Sequence, residues 1–482
     1  MAKKKENVRN TNEKSENVNK NGKERKSSAF SKFLLFSSIA VVIFSVAALQ
    51  FYITLTSVPD LPQFELDTCW AANCTLDTDI RKYRIVFSSA MLENIRRKFE
   101  TYRRATRMKS LEESASYGIN SDALGQIFAH WQFKYKYPQR VRYLNQYEHF
   151  KTNIQGLDIH FMRVKPKENN VKVVPLLLLH GWPSSIREFY EALPLLTQRR
   201  GDYDFVFEVI VPSLPGFGYS QGPVRPGLNI YQTAIIMRNL MERLGYKQFY
   251  VQGGNVGHNI GSHMATLFPN QVLGFHTTFP VNFSRLADWL WILGAICPTL
   301  VGNEFADRMY PLSDKLAYFL EEFGYMHLQG TKPDTIGIAL QDSPLGLGAY
   351  LIDKILSFTD SSNKFKEDGG LSTYNTTDLI DNVMIYWSSG SITTSLRLYK
   401  EIFASQHMDE VLAQIPTPVP TWALRSKHEL YHSPDFVLRW KYPNLLGVTN
   451  LNEGGHYFAF EKPVEFANDL FNAVNTFLKF KK

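Results

Sequence analysis

Cysteine is scarce in this 482-residue chain, and three of them are too few for a disulfide scaffold. No Cys/His spacing has the form of a zinc site, so no metal is expected. Net charge is equally uninformative once it is placed. The formal +7 sits mostly in residues 1–32, which hold ten Lys/Arg against four Glu, leaving roughly +1 for the rest. A body so near neutral has no electrostatic case for nucleic acid. No Lys-Ser or Lys-Thr follows the main glycine cluster, which excludes a P-loop, and no internal repeat is evident.

Charge is also missing from Phe33 to Pro59. Residues 33–58 are long enough to cross a bilayer, which needs about 20 apolar residues. Lys23, Arg25, Lys26 and Lys32 crowd one side of the stretch, and Asp60, Glu65 and Asp67 stand on the other. The positive-inside rule then keeps the solvated tail (1–32) cytoplasmic and places the body in a lumen or outside, behind an uncleaved anchor. Sequons at Asn73, Asn282 and Asn375 fit a lumenal body. Cys69 and Cys74 pair there or remain two free thiols; spacing does not decide.

What the chain has in quantity is apolar text, at 44% hydrophobic and 14% aromatic residues, enough for a sizeable core. Residues 59–170 are mixed and read as an extension packed on the main domain. From 171 short apolar runs alternate with amphipathic helices, the pattern of a mostly parallel sheet with helices on its faces. Val173 to Leu179, Phe205 to Val211, Gln248 to Gln252 and Val272 to Thr278 read as strands. The alternation lapses over 281–402 into aromatic, helix-rich text, as in an inserted lid. It returns over 403–482, so that 171–280 and 403–482 form the core.

Gly253-Gly-Asn-Val-Gly lies between a strand and a helix. Small residues flanking one polar side chain permit the strained turn of a nucleophile elbow, at a helix N-terminus that favours developing negative charge. The same text also suits a plain glycine-rich helix start. His180-Gly-Trp-Pro follows the first core strand, where an oxyanion hole takes its donors; with the elbow at 255 these are the amides of Trp182 and Val256. His180 itself is expected to orient that loop. Among twelve histidines, His456 in Gly454-Gly-His follows the final strand and has the address of a base. Glu429, with Asp435 as competitor, is placed to hold its imidazole.

Asn145-Gln-Tyr-Glu-His-Phe-Lys-Thr, Gly156-Leu-Asp-Ile-His-Phe, His180-Gly-Trp-Pro-Ser, Pro212-Ser-Leu-Pro-Gly-Phe-Gly-Tyr-Ser, Gly324-Tyr-Met-His, Thr331-Lys-Pro-Asp-Thr, Asp342-Ser-Pro-Leu-Gly and Gly454-Gly-His together resemble the microsomal epoxide hydrolase family, which includes juvenile hormone epoxide hydrolases. The resemblance runs from about residue 60 to the end. It implies an α/β-hydrolase fold and no cofactor. It also implies a carboxylate at the elbow that opens a lipophilic epoxide to an ester, and a histidine-activated water that releases the diol. By motif, Tyr325 and Tyr399 hold the epoxide oxygen, while His456 and Glu429 are base and partner. The endoplasmic reticulum is the implied compartment.

The family's elbow reads Gly-Gly-Asp-Trp-Gly, whereas Asn255 and Val256 stand here. A neutral amide is a poor nucleophile, and its retention implies a barrier higher by roughly 4 to 8 kcal/mol. Two readings follow. One is an epoxide hydrolase of low or self-activated turnover, in which the machinery hydrolyses Asn255 to Asp. The other is a pseudoenzyme that binds a lipophile unchanged. A dehalogenase would share the elbow and base, but the tyrosine pair argues against it.

Overall fold

A computed structural model of the chain describes residues 30–480 apart from 75–76, 104–116, 169 and 303–305. It divides into two units, residues 1–57 and 58–482. The first is described from residue 30 and consists of one helix, Phe30–Thr56, whose most apolar stretch is entirely unburied. The remainder of the expected tail lies outside the described residues.

The second unit is built on a nine-stranded sheet: β1 (Arg81–Tyr83), β2 (Glu148–Ile154), β3 (Leu157–Val164), β4 (Lys172–Leu179), β5 (Phe205–Pro212), β6 (Phe249–Gly253), β7 (Val272–Thr277), β8 (Thr421–Arg425) and β9 (Leu445–Asn450). Their spatial order is β1-β2-β3-β5-β4-β6-β7-β8-β9. The last six in that order run parallel. Leu176 to Leu179 and Val209 to Val211 are buried, as strands covered on both faces must be. The expected helix after β5 forms as Ile230–Arg243, burying Ala234, Met237, Leu240 and Met241 on one face. Gly245 follows it at φ +89° in the position of a C-terminal cap.

The extension before residue 171 contributes strands to this same sheet. β1, β2 and β3 come from the extension and join the sheet antiparallel, with β3 pairing β5. β2 and β3 meet at Gln155 and Gly156, both at positive φ, a two-residue hairpin turn. Cys69 and Cys74 in this region are paired, and Cys297 is free and exposed.

Between β7 and β8 the described residues are helical, and helices continue to Gln414, beyond the expected end of the lid at 402. The lid helix Thr376–Ser389 is tied to the core by charge and by hydrogen bonds. Buried Arg187 pairs with Asp378 at 2.6 Å and Asp381 at 3.2 Å, and Tyr135 donates to Asp381 at 2.7 Å. Asn382 Nδ2 donates to Pro183 O and Tyr386 donates to Ser184 O, so this helix also fixes the loop that follows β4.

One sequon is corrected by burial. Asn282 is 6% exposed and its Nδ2 donates to Val437 O at 2.7 Å, so the atom that would carry a glycan is occupied inside the fold. Asn73 and Asn375 are exposed.

Candidate active site

β6 ends at Gly253, and the helix Val256–Leu267 begins shortly after it with Asn255 as its cap. Asn255 has φ +50° and ψ −135°, a strained conformation for a residue with a Cβ. Glycine is required beside it, because a Cβ on Gly253 would meet Gly257 O at 2.1 Å and one on Gly257 would meet Leu179 O at 2.2 Å. This is the elbow geometry expected from the motif. The side chain is lifted over the C-terminal edge of the parallel strands, where the loops after β4, β7, β8 and β9 also converge.

The Asn255 amide is held at both ends. Nδ2 donates to Trp182 O at 3.0 Å and to His456 Nε2 at 2.7 Å, while Oδ1 accepts from Val256 N at 2.5 Å. Of the two expected oxyanion donors, the Val256 amide therefore faces the side-chain oxygen. Trp182 meets Asn255 through its carbonyl, which accepts from Nδ2.

His456 is 4% exposed and stands on the loop after β9. Its Nδ1 lies 2.6 Å from Glu429 Oε1, and Glu429 also accepts from Leu430 N. With Nε2 accepting from the amide, the proton sits on Nδ1 and is donated to Glu429. Asp435, the competing acid, pairs with Arg425 at 2.6 Å. The His456 backbone N–H donates to Phe358 O, and Gly455 N–H donates to Glu461.

Asn255, Tyr325, Tyr399 and His456 line one cavity of about 380 Å³. The two phenol rings are 6.0 Å apart and steeply inclined. Burial raises both above the ordinary tyrosine range, so they remain proton donors. A buried indole organises them: Trp182 stacks on Tyr325 at 5.2 Å and meets Tyr399 edge-on at 5.7 Å. Sequence reasoning used Trp182 only for its backbone, although an aromatic next to the loop glycine was a usable signal. It also missed Phe279 and Phe358, whose rings meet His456 edge-on at 5.1 and 6.1 Å.

His180 does not reach the cavity group. It is buried and pushed down to about 4 by desolvation, its Nδ1 donates to Gly181 O, and its Nε2 accepts from Leu214 N. It thus ties the loop after β4 to the loop after β5. Among the described residues no cluster of His, Cys, Asp and Glu has the form of a metal site.

Residues 80–189 match the "Epoxide hydrolase N terminus" family and residues 174–296 the "alpha/beta hydrolase fold" family. The chain is 47% identical to juvenile hormone epoxide hydrolase of Bombyx mori over 93% of its own length and 98% of that protein. It is 39% identical to epoxide hydrolase 1 of Oryctolagus cuniculus, covering 82% of this chain and 88% of the relative. The crystal structure of the Bombyx mori enzyme superposes with a TM-score of 0.83 at 48% identity, covering 87% of this chain and all of that one. Sequence and superposed fold agree across nearly the whole body, and the chain belongs to the microsomal epoxide hydrolase family of α/β-hydrolases, alongside the juvenile hormone epoxide hydrolases.

Proposed function

We propose that the cavity is a site for hydrolysing lipophilic epoxides to vicinal diols, and that Asn255 must become aspartate before it turns over. The observation that carries this reading is the hydrogen-bonded chain Glu429, His456, Asn255, with Val256 N–H on the side-chain oxygen. In the activating step, water adds to Cγ of Asn255 while His456 takes its proton. The developing oxyanion is met by Val256 N–H, the proton passes to Nδ2, and the C–N bond breaks to leave an aspartate side chain and ammonia. His456 already contacts the leaving nitrogen.

In the epoxide reaction, a carboxylate oxygen of the new aspartate attacks a ring carbon and the C–O bond opens. A phenol of Tyr325 or Tyr399 gives its proton to the alkoxide. Water activated by His456 then attacks the ester at Cγ, with Glu429 stabilising the imidazolium; the Cγ–O ester bond breaks as the leaving oxygen takes the imidazolium's proton, the proton of the regenerated carboxyl restores the phenol, and the diol leaves. The same reading sets Phe30–Thr56 across a bilayer as a single-span anchor, with the preceding tail cytoplasmic and the body in the lumen of the endoplasmic reticulum. Its 27 residues give about 40 Å of helix against a hydrocarbon core of about 30 Å.

A second reading is favoured by the completeness of the amide's own bonds. Both N–H groups of Asn255 and its oxygen are engaged, and a carboxylate in that rotamer would set an oxygen against the Trp182 carbonyl. This supports a lasting Asn255 and a protein that binds its lipophile unchanged. Product analysis on a lipophilic epoxide, beside mass mapping of position 255 in folded, aged protein, separates the two. Diol together with a deamidated position 255 supports the hydrolase. Intact Asn255 and no diol, with turnover appearing in Asn255→Asp, supports the binding protein.

A further inference from the structure

The loop that presents His456 is fastened peptide by peptide. The peptide between Gly455 and His456 is held at both ends, because Gly455 O accepts from Ser426 Oγ at 3.0 Å and His456 N–H donates to Phe358 O at 3.0 Å. The peptide between Gly454 and Gly455 is held likewise. Its carbonyl accepts from His428 N–H at 3.0 Å, and its N–H, on Gly455, donates to Glu461 Oε2 at 2.9 Å. His428 is the residue before Glu429, so this one peptide joins the loop of the acid to the loop of the histidine.

Packing leaves the turn little alternative. Gly454 sits at φ +81°, and a Cβ on Gly455 would meet Thr359 O at 2.2 Å, so the turn lies close against the segment that follows the lid helix Pro344–Ser357. Of the four partners, Phe358 and His428 offer backbone atoms and Ser426 a buried hydroxyl on a short stem. Glu461 reaches the turn through a long side chain. It closes the short helix Phe458–Glu461 that follows the histidine, and its Oε1 is sealed from solvent. Burial pushes this carboxyl up to about 7, against the opposing pull of the Gly455 N–H and of the Tyr374 phenol, which itself bonds Thr359 at 2.7 Å. Acid or anion, it keeps an oxygen for the Gly455 N–H.

We propose that Glu461 is a positioning residue for the base. Its carboxyl holds the peptide between Gly454 and Gly455 in the orientation that also takes the His428 N–H, and so sets the 2.6 Å separation at which Glu429 Oε1 receives the proton of His456 Nδ1. Without that acceptor the Gly455 N–H is left unpaired inside the fold, and the peptide turns to find another partner. The histidine and its acid then lose register. This rests on the epoxide reading of the site, in which His456 activates the water that hydrolyses the ester.

The test uses the full chain carrying Asn255→Asp, with ester formation and ester hydrolysis on epoxydecane timed separately by quenched intact-protein mass spectrometry. Adding Glu461→Met, which keeps the length and removes the acceptor, is expected to slow ester hydrolysis by about tenfold to a hundredfold while formation stays within about twofold. Adding Glu461→Gln, which restores an oxygen, is expected to bring hydrolysis back to within about threefold of the parent. Hydrolysis as fast with Glu461→Met as in the parent, equal slowing by Glu461→Gln, or equal slowing of both steps each overturns the positioning role. If Glu461→Met does not fold, Glu461→Asp, one carbon short of the turn, replaces it under the same expectations. Absence of any ester in the Asn255→Asp parent overturns the epoxide reading, and the positioning role is then decided on the native chain by proton NMR with isotope-labelled histidine. There the far-downfield Nδ1–H resonance of His456 is expected to persist in Glu461→Gln and to shift or vanish in Glu461→Met. A resonance that the two substitutions treat alike overturns the proposal.

Discussion

Nε2 of His456 accepts a hydrogen bond from Nδ2 of Asn255 at 2.7 Å. That contact fixes the state of the dyad, because an imidazole nitrogen that accepts from an amide carries no proton. The proton is then on Nδ1, facing Glu429 Oε1 at 2.6 Å. An aspartate at 255 would reverse the demand, its oxygen accepting a hydrogen bond from Nε2. The residue at 255 therefore sets both the nucleophile and the direction of the hydrogen bond to its base.

The direct consequence concerns rate. Asn255→Asp is expected to raise diol formation from a lipophilic epoxide by about a thousandfold or more over freshly purified protein whose Asn255 is intact by mass. A variant no faster than the intact native chain would show that the amide is not what limits turnover.

Ester formation and ester hydrolysis make different demands on His456. A carboxylate attacks without a base, whereas the second step needs an activated water. In the double variant Asn255→Asp, His456→Gln, intact-protein mass spectrometry is expected to show one substrate equivalent added and retained. Continued multiple turnover in that variant would remove His456 from the second step.

The elbow, the acid and the histidine were readable in the sequence because they sit at topological addresses, whereas Tyr325 and Tyr399 came only with the family resemblance. Glycines around 255 and 455 mark turns, and the order elbow, acid, histidine follows the order of the strands. The parallel strands declared themselves as unbroken apolar runs such as Leu176 to Leu179. β2 did not, since Glu148-His-Phe-Lys-Thr-Asn-Ile mixes charged and apolar residues on a strand only partly buried, and its turn is Gln-Gly, a weaker signal than Asn-Gly. The contact of the Trp182 carbonyl was equally hidden, because it depends on which end of the Asn255 amide turns toward it.

Removing one phenol tests the lid. Tyr325→Phe and Tyr399→Phe keep the rings that stack with Trp182, so folding is expected to persist while the hydrogen bond to the opening epoxide is lost. In the Asn255→Asp background each is expected to slow ester formation by about tenfold to a hundredfold, read by stopped-flow tryptophan fluorescence. Loss of the fold or an unchanged rate would each count against a donor role.

Glu188 is buried, and desolvation pushes it up to about 7 against an opposing hydrogen bond from Ser184. Unfolded, a glutamate titrates near ~4.3. The folded state thus holds the proton longer, and the stability this confers is complete below about 4.3 and lost as pH rises toward 7, by up to about 1.4 kcal/mol per pH unit. Urea unfolding of the detergent-solubilised chain at pH 5 and pH 7 is expected to show a larger loss in the native protein than in Glu188→Gln. Equal losses would place the titration elsewhere.

The proposed anchoring, with the body on the lumenal side of a membrane, has a test that Asn282 makes discriminating. Its Nδ2 donates to Val437 O and its Oδ1 accepts from Ser284 N, so a glycan added there during synthesis would have to be left outside a core it cannot enter. Asn73 and Asn375 are exposed and have no such obstacle. In folded protein from a eukaryotic host, a glycosidase-sensitive mobility shift is expected to survive Asn282→Gln and to vanish in Asn73→Gln, Asn375→Gln. A shift that depends on Asn282 would contradict its burial. No shift in the native chain would place the body on the cytoplasmic side, against the charge distribution around residues 33–58.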